Sequence, residues 1–142
     1  MNTLVIPNEG KTGLLDYQIR TTITGVNPWT LRLFQNNATI SETTVLADLT
    51  QATFTGYAGV TMTRSSWSSP VIVANHARST WLLVPTQWVN TGSTQTIYGC
   101  YYTDDDLNVV RGVFKFNTPI VVAPGGTIAV LPEFSYATEV VP

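Results

Sequence analysis

The sequence predicts an all-β chain: one domain over residues 1–142, folded as a single antiparallel β-sandwich of eight or nine short strands with one short N-terminal helix. Three observations carry this expectation. Runs rich in Val, Ile, Thr and aromatic residues alternate in the period-two pattern of strands. Turn-forming clusters of Gly, Pro, Asn, Asp and Ser separate them about every 8 to 12 residues. The stretch Thr96–Phe116 reads TIYGCYYT, DDDLN and VVRGVFKF, two apolar arms around an acidic tip, which is a hairpin signal. Strict alternation puts Ile97, Tyr101, Val110, Phe114 and Phe116 on alternate positions, with Tyr98, Cys100, Tyr102 and Val113 filling the others. Both faces of the hairpin are therefore apolar, as in an inner strand pair. Gly99 and Gly112 leave room inside it for large neighbours.

The remaining elements follow in order. Thr3–Ile6 forms a short edge strand closed by Pro7. From Glu9 onward, Leu14, Leu15, Gln18, Ile19, Thr22 and Ile23 have helical spacing until Gly25, and this is the one predicted helix. Trp29–Gln35 is a strand with Trp29, Leu31 and Leu33 on one face and Thr30, Arg32 and Phe34 on the other. Residues 36–44 read as a loop, and the formal glycosylation triplet Asn37-Ala38-Thr39 is read as part of it. Asp48–Tyr57 is irregular, with Phe54 and Tyr57 as apolar plugs. Val60–Trp67 and Val71–Ala74 are strands separated by Ser68-Ser69-Pro70, and Pro85 marks an edge or bulge between Trp81 and Trp88. Asn90–Gln95 turns into the central hairpin. Asn117-Thr118-Pro119 is expected to turn the chain, followed by a short strand Ile120–Ala123, a Pro124-Gly125-Gly126 turn and a last strand Thr127–Tyr136. A jelly roll is one of several sandwich topologies compatible with this count.

Composition narrows the function. Only 11% of residues are charged and the net charge is −2, against about 25% charged in ordinary domains. The seven Lys and Arg residues form no basic stripe, so nucleic acid is not an expected partner. Such a surface is filled with Thr, Ser, Asn and apolar atoms, and it suits a chain that lives among protein neighbours. The single cysteine, Cys100, permits no internal disulfide and reads as a small buried hydrophobe. Met1–Pro7 has neither a cationic start nor a small-residue cleavage site, and no run reaches the ~18 apolar residues of a membrane span. The expectation is synthesis in a cytoplasm with no membrane partner.

Catalytic chemistry has little to stand on. His76 is the only histidine, and no nucleophile-elbow context accompanies it. Asp104, Asp106 and Asn108 have the alternate spacing of an oxygen-rich cation loop, but the glycine turn and closing glutamate of a calcium site are missing; a hairpin turn built by its own carboxylates is the simpler reading. Three adjacent aspartates repel one another, a cost that a basic partner surface relieves, so Asp104, Asp105 and Asp106 are the candidate partner-binding residues. No catalytic, metal or cofactor residues are assigned. Trp67, Trp81 and Trp88 are the residues that would stack on sugar rings if exposed, although aromatics in strands more often build core.

Taken together, NPWTLRLFQN at Asn27–Asn36, FTGYA at Phe54–Ala58, Ser66-Trp67, TIYGCYYTD at Thr96–Asp104 and FNTPIVVAPGGTIAVLPEFS at Phe116–Ser135 resemble a group of small all-β proteins encoded by tailed bacteriophages and prophages. The resemblance spans most of the chain, and its motifs mark strands and turns. It implies a non-enzymatic structural protein of the virion, a capsid cement or decoration protein on the outer shell. Its expected partners are the major capsid protein and further copies of itself, as a homodimer or homotrimer. A tail or fibre component, or a carbohydrate-binding receptor-recognition module, is the alternative that the same motifs leave open.

Overall fold

The computed structural model describes residues 4–5, 7, 29–63, 68, 71–73, 76–80, 85–104 and 108–137. The helix expected over Glu9–Gly25 lies outside these residues. What is described is mostly β, in antiparallel sheets. Eight or nine strands were expected; among the described residues there are ten: β1 (Leu4–Val5), β2 (Trp29–Phe34), β3 (Val60–Met62), β4 (Val71–Val73), β5 (His76–Thr80), β6 (Thr86–Val89), β7 (Gln95–Asp104), β8 (Val109–Val122), β9 (Thr127–Val130) and β10 (Glu133–Ala137). They form a five-stranded sheet in the order β1-β8-β7-β2-β3, a three-stranded sheet β10-β5-β4 and a two-stranded ribbon β6-β9.

The predicted hairpin is β7–β8, and it lies inside the five-stranded sheet with β1 and β2 on its flanks. Its two apolar faces have separate covers. On one face, Ile97, Cys100 and Tyr102 join Leu31 and Leu33 of β2, the plug Phe54, and Trp88 and Ile128 of the β6–β9 ribbon in one buried cluster. On the other, Tyr101, Val110 and Val113 pack with Phe34 and Leu49, against Ala38, Ile40 and Leu46 of the long connection after β2. The alternation in β2 therefore divides its side chains as the sequence indicates, with Leu31 and Leu33 in the first cluster and Phe34 in the second.

Strict alternation fails in the hairpin itself. Ile97 pairs with Ile120, but Gly99 pairs with Lys115, so Tyr98 alone stands opposite the four residues Phe116–Pro119. This irregularity switches the faces: Ile97 and Cys100 share one cluster, and Tyr98 and Tyr101 share the other. It also corrects the expected turn at Asn117-Thr118-Pro119. The strand continues through it to Val122, because a bulge tolerates a proline that has no N–H to give to a ladder. A second shift leaves Arg111 without an opposite residue between the pairs Tyr102–Gly112 and Thr103–Val110. The expected last strand is likewise two, because Leu131-Pro132 separates β9, paired with β6, from β10, paired with β5.

The first cluster contains acidic hydrogens that burial holds in place. Burial pushes the Cys100 thiol from 9.0 up to about 12, and pushes the Tyr57 phenol from 10.0 up to about 12 against the opposing effect of its bond from the Leu33 N–H. Tyr102 is raised by burial as well. A raised folded-state value means that the unfolded chain releases the proton first. The corresponding stability is complete below about pH 9 and is lost as the pH rises toward 12, at up to about 1.4 kcal/mol per pH unit for each group. Denaturant titrations at increasing alkalinity are expected to show the midpoint falling from about pH 9 onward, and Cys100→Ala to delay that onset toward pH 10, where the tyrosines begin to titrate in the unfolded chain.

Candidate functional site

The long connection after β2 is held against the sheet by a set of polar clamps. Asn36 Nδ2 donates to the Asp48 carbonyl at 2.8 Å, and Asn36 Oδ1 accepts from the Thr50 amide at 2.8 Å. Lys115 Nζ, reaching across from β8, donates to Asn37 Oδ1 and to the Ala38 carbonyl, each at 2.7 Å. The connection includes a 3-10 turn at Leu46–Asp48, then meets the edge of β2 through a bridge between Phe34 and Gln51. Between this connection and the sheet lies a cleft of about 460 Å3, lined by Arg32, Leu46, Leu49, Gln51, Tyr101, Thr103 and Asn108.

Arg32 is the cation of the cleft. Its Nε donates to Thr103 Oγ1 at 3.1 Å and its Nη1 to Gln51 Oε1 at 2.8 Å, which fixes the guanidinium plane between β7 and the connection. Thr103 is buried and makes a long contact from its hydroxyl to the Thr30 carbonyl at 3.4 Å. Asn108 closes the cleft at the hairpin tip in a left-handed conformation, φ 54°, which asparagine adopts more readily than most residues.

Of the predicted partner-binding aspartates, Asp105 and Asp106 lie outside the described residues, and with them the question of a cation loop at the tip. Asp104 ends β7 and bonds Arg111 through Oδ2 and Nη2 at 2.6 Å. The pair is largely buried, with 14% of the Asp104 side chain and 7% of Arg111 exposed. Thr103 and Asp104 are consecutive in the strand and leave it on opposite faces, so the ion pair and the Arg32 cleft occupy different sides of the sheet. Arg111 is the residue inserted at the β8 bulge, and its buried Nε has no hydrogen-bond partner among the described residues. Removing the carboxylate would strand a charge that already carries one unmet donor. Asp104→Ala is expected to cost about 3 kcal/mol in urea denaturation, and Arg111→Met in the same chain to restore more than half of the loss, because the buried charge goes with its partner.

Trp88 is 4% exposed, and its Nε1 donates to the Ala58 carbonyl at 2.7 Å, so it is core and presents no stacking face. Trp67 and Trp81 lie outside the described residues. His76 opens β5, where it pairs with Val73 and with Ala137. Among the described residues, no three His, Cys, Asp or Glu side chains gather in a way that would hold a metal ion.

Sequence reasoning did not single out Arg32, Gln51 or Thr103. A signal was present: Arg32 shares a strand face with Phe34, and an arginine beside a large apolar residue on a covered face must find polar partners there. Comparison with protein-family models, with curated proteins and with solved structures returned no match.

Proposed function

We propose that this chain is a non-enzymatic structural protein of a phage virion: a cement or decoration protein with a sandwich architecture that binds the outer shell and bridges neighbouring major capsid protein subunits, acting as a homodimer or homotrimer. The observation that carries the reading is an exposed surface almost without charge. From Phe116 to Pro132 no residue is charged, yet Asn117–Val121 are exposed along the end of β8, with Val121 64% exposed, and Leu131 is 60% exposed just beyond β9. Val45 and Val89 add further exposed apolar side chains elsewhere. Apolar area of this kind, free of charges that would have to be desolvated, is suited to contacts with other proteins. The motifs that resemble phage structural proteins include this same stretch.

The mechanism is binding free energy. A ligand that binds only the assembled shell stabilises it by mass action, and a contact spread over a subunit boundary does so without any reaction. Quantitative mass spectrometry of purified particles from the phage that encodes the chain tests the role. A copy number close to that of the major capsid protein is the expected result. A few copies per particle would assign the chain to the tail or fibres, and absence from the particle would end the virion reading.

A further inference from the structure

The β6–β9 ribbon has one face in the core and one in water. Trp88 and Ile128 belong to the first buried cluster, and Val130 packs against it. By strand alternation the opposite face carries Gln87 and Val89 of β6 with Thr127 and Ala129 of β9, paired as Gln87 with Ala129 and Val89 with Thr127. All four are exposed, and so are Pro85 and Leu131, the next residues in the two alternations at the other end of the ribbon. Val89 is 47% exposed and Leu131 60%. Neither strand brings a charge to this face, because the chain has none from Ser79 to Thr103 or from Phe116 to Pro132. The solvent face of an antiparallel sheet is ordinarily polar. This one has an apolar side chain at each end, small Ala129 beside Gln87 in the middle, and no charge to desolvate on contact.

We propose that the outer face of the β6–β9 ribbon pairs with the same face of a second copy of this chain. The layout is self-complementary. Val89 and Leu131 stand at opposite ends of the face on opposite strands, and the Gln87–Ala129 pair lies midway between them. A two-fold axis in the plane of the ribbon, passing through that pair, lays Val89 of one protomer on Leu131 of the other and the reverse, with the two ribbons inclined by roughly the 30° of aligned sheets. The same axis brings Gln87 against its own counterpart, where each amide can donate to the other, and Ala129 against Ala129, where the small side chain permits close approach. A partner of either charge finds nothing to pair with here, whereas a second copy meets its own kind without repulsion. Closing a face of two short strands in both copies removes on the order of 700 Å2 from water, below the roughly 1,600 Å2 of a standard interface, so the dimer is a weak one. The inference deepens the oligomeric part of the proposed function, and it rests on that reading for the crowded shell on which a weak contact becomes filled.

Sedimentation equilibrium of the full chain tests the pairing in solution, with no shell present. A monomer–dimer equilibrium with a Kd on the order of 0.1 mM is expected. Ala129→Glu adds a like charge on both sides of the axis and should weaken the dimer at least tenfold, as should Ala129→Lys. An equimolar mixture of the two variants should recover the dimer, because opposite charges then meet, and this recovery depends on residue 129 facing its own counterpart. Val89→Thr keeps the β-branched shape of a strand residue while adding a hydroxyl to be desolvated, and it should weaken the dimer several-fold. Val121→Glu, a new charge at the exposed end of β8 in the other sheet, should leave the dimer unchanged. A chain that stays monomeric at 1 mM, a trimer, a dimer indifferent to Ala129→Glu, or a mixture of the Glu and Lys variants that fails to pair would overturn the inference. Ala129→Glu that loses uptake by shells while the parent shows no self-association in solution would overturn it as well and assign the face to the major capsid protein. Loss of the solution dimer leaves the shell-binding role standing, and failure of the parent to bind shells leaves the pairing standing.

Discussion

Replacing Gly99 with valine is expected to lower the unfolding free energy by about 4 kcal/mol, more than the usual overpacking cost of about 1–3 kcal/mol. Gly99 is buried in the middle of β7, opposite Phe34 of β2 on one side and Lys115 of β8 on the other. A Cβ there would run into the Phe114 carbonyl oxygen and would stand 2.5 Å from Phe34 Cε1 and 2.7 Å from Cζ. The oxygen belongs to the sheet backbone and cannot swing away. The ring is fixed too, because Phe34 is fully buried and packs edge-on to Tyr101 with centroids 6.3 Å apart. Even alanine pays for the carbonyl contact, so Gly99→Ala should cost about 2 kcal/mol and Gly99→Val about twice that. Equilibrium denaturation checks both; a valine variant within 1 kcal/mol of the parent would show that the hairpin can re-register, as its bulges allow in principle.

Asn90→Asp is expected to be comparably severe near neutral pH, at about 4 kcal/mol, although it changes a single atom type. Asn90 is 0% exposed, and its Nδ2 donates to the carbonyls of Ser93 and Val122, each at 2.8 Å. Its Oδ1 accepts from the Gly92 amide at 2.8 Å. Its backbone binds the next turn as well, the amide donating to the Gly126 carbonyl and the carbonyl accepting from the Gly125 amide. One residue thus ties the turn after β6 and the end of β8 through its side chain, and the turn before β9 through its backbone. A carboxylate would set a buried negative oxygen against two carbonyl oxygens, and its protonation would be favoured in the folded state. Stability of this variant should therefore rise as the pH falls through the carboxylate range, opposite to the acid sensitivity of an ordinary salt-bridged aspartate. Asn90→Ala, which loses the bonds without burying charge, should cost about 3 kcal/mol with no such pH dependence. Denaturation at two acidities separates the two variants.

Much of the five-stranded sheet was legible because its sequence obeys simple periods. Trp29–Phe34 alternates cleanly and is a strand with the expected faces, and the apolar character of both sides of the hairpin required the two covers that the structure has. Phe54 and Tyr57 plug the first cluster from an irregular segment, where ring size mattered more than local conformation. The errors arose where a long-range partner overrode a local signal. Pro119 has the chemistry of a strand breaker, but β7 supplies a bulged partner that carries the strand past it. The same bulge reverses the facing of Ile97 relative to Tyr101, a change that no period within either arm could disclose. Asp104 stood out as a free acidic tip, whereas Arg111 meets it across the hairpin at the second bulge. The Arg32 cleft depends on Gln51 and Thr103, which lie 19 and 71 residues away in the chain, and their convergence is a property of the folded sheet.

The most direct test of the proposed virion role is to add the purified chain to mature shells prepared without it and to follow binding and heat resistance together. Saturable binding to the outer surface at a fixed ratio to the major capsid protein is expected, with the shells opening at a higher temperature once they are decorated. Shells that fail to take up the chain, or that bind it and open at the same temperature as before, would rule out a cementing role.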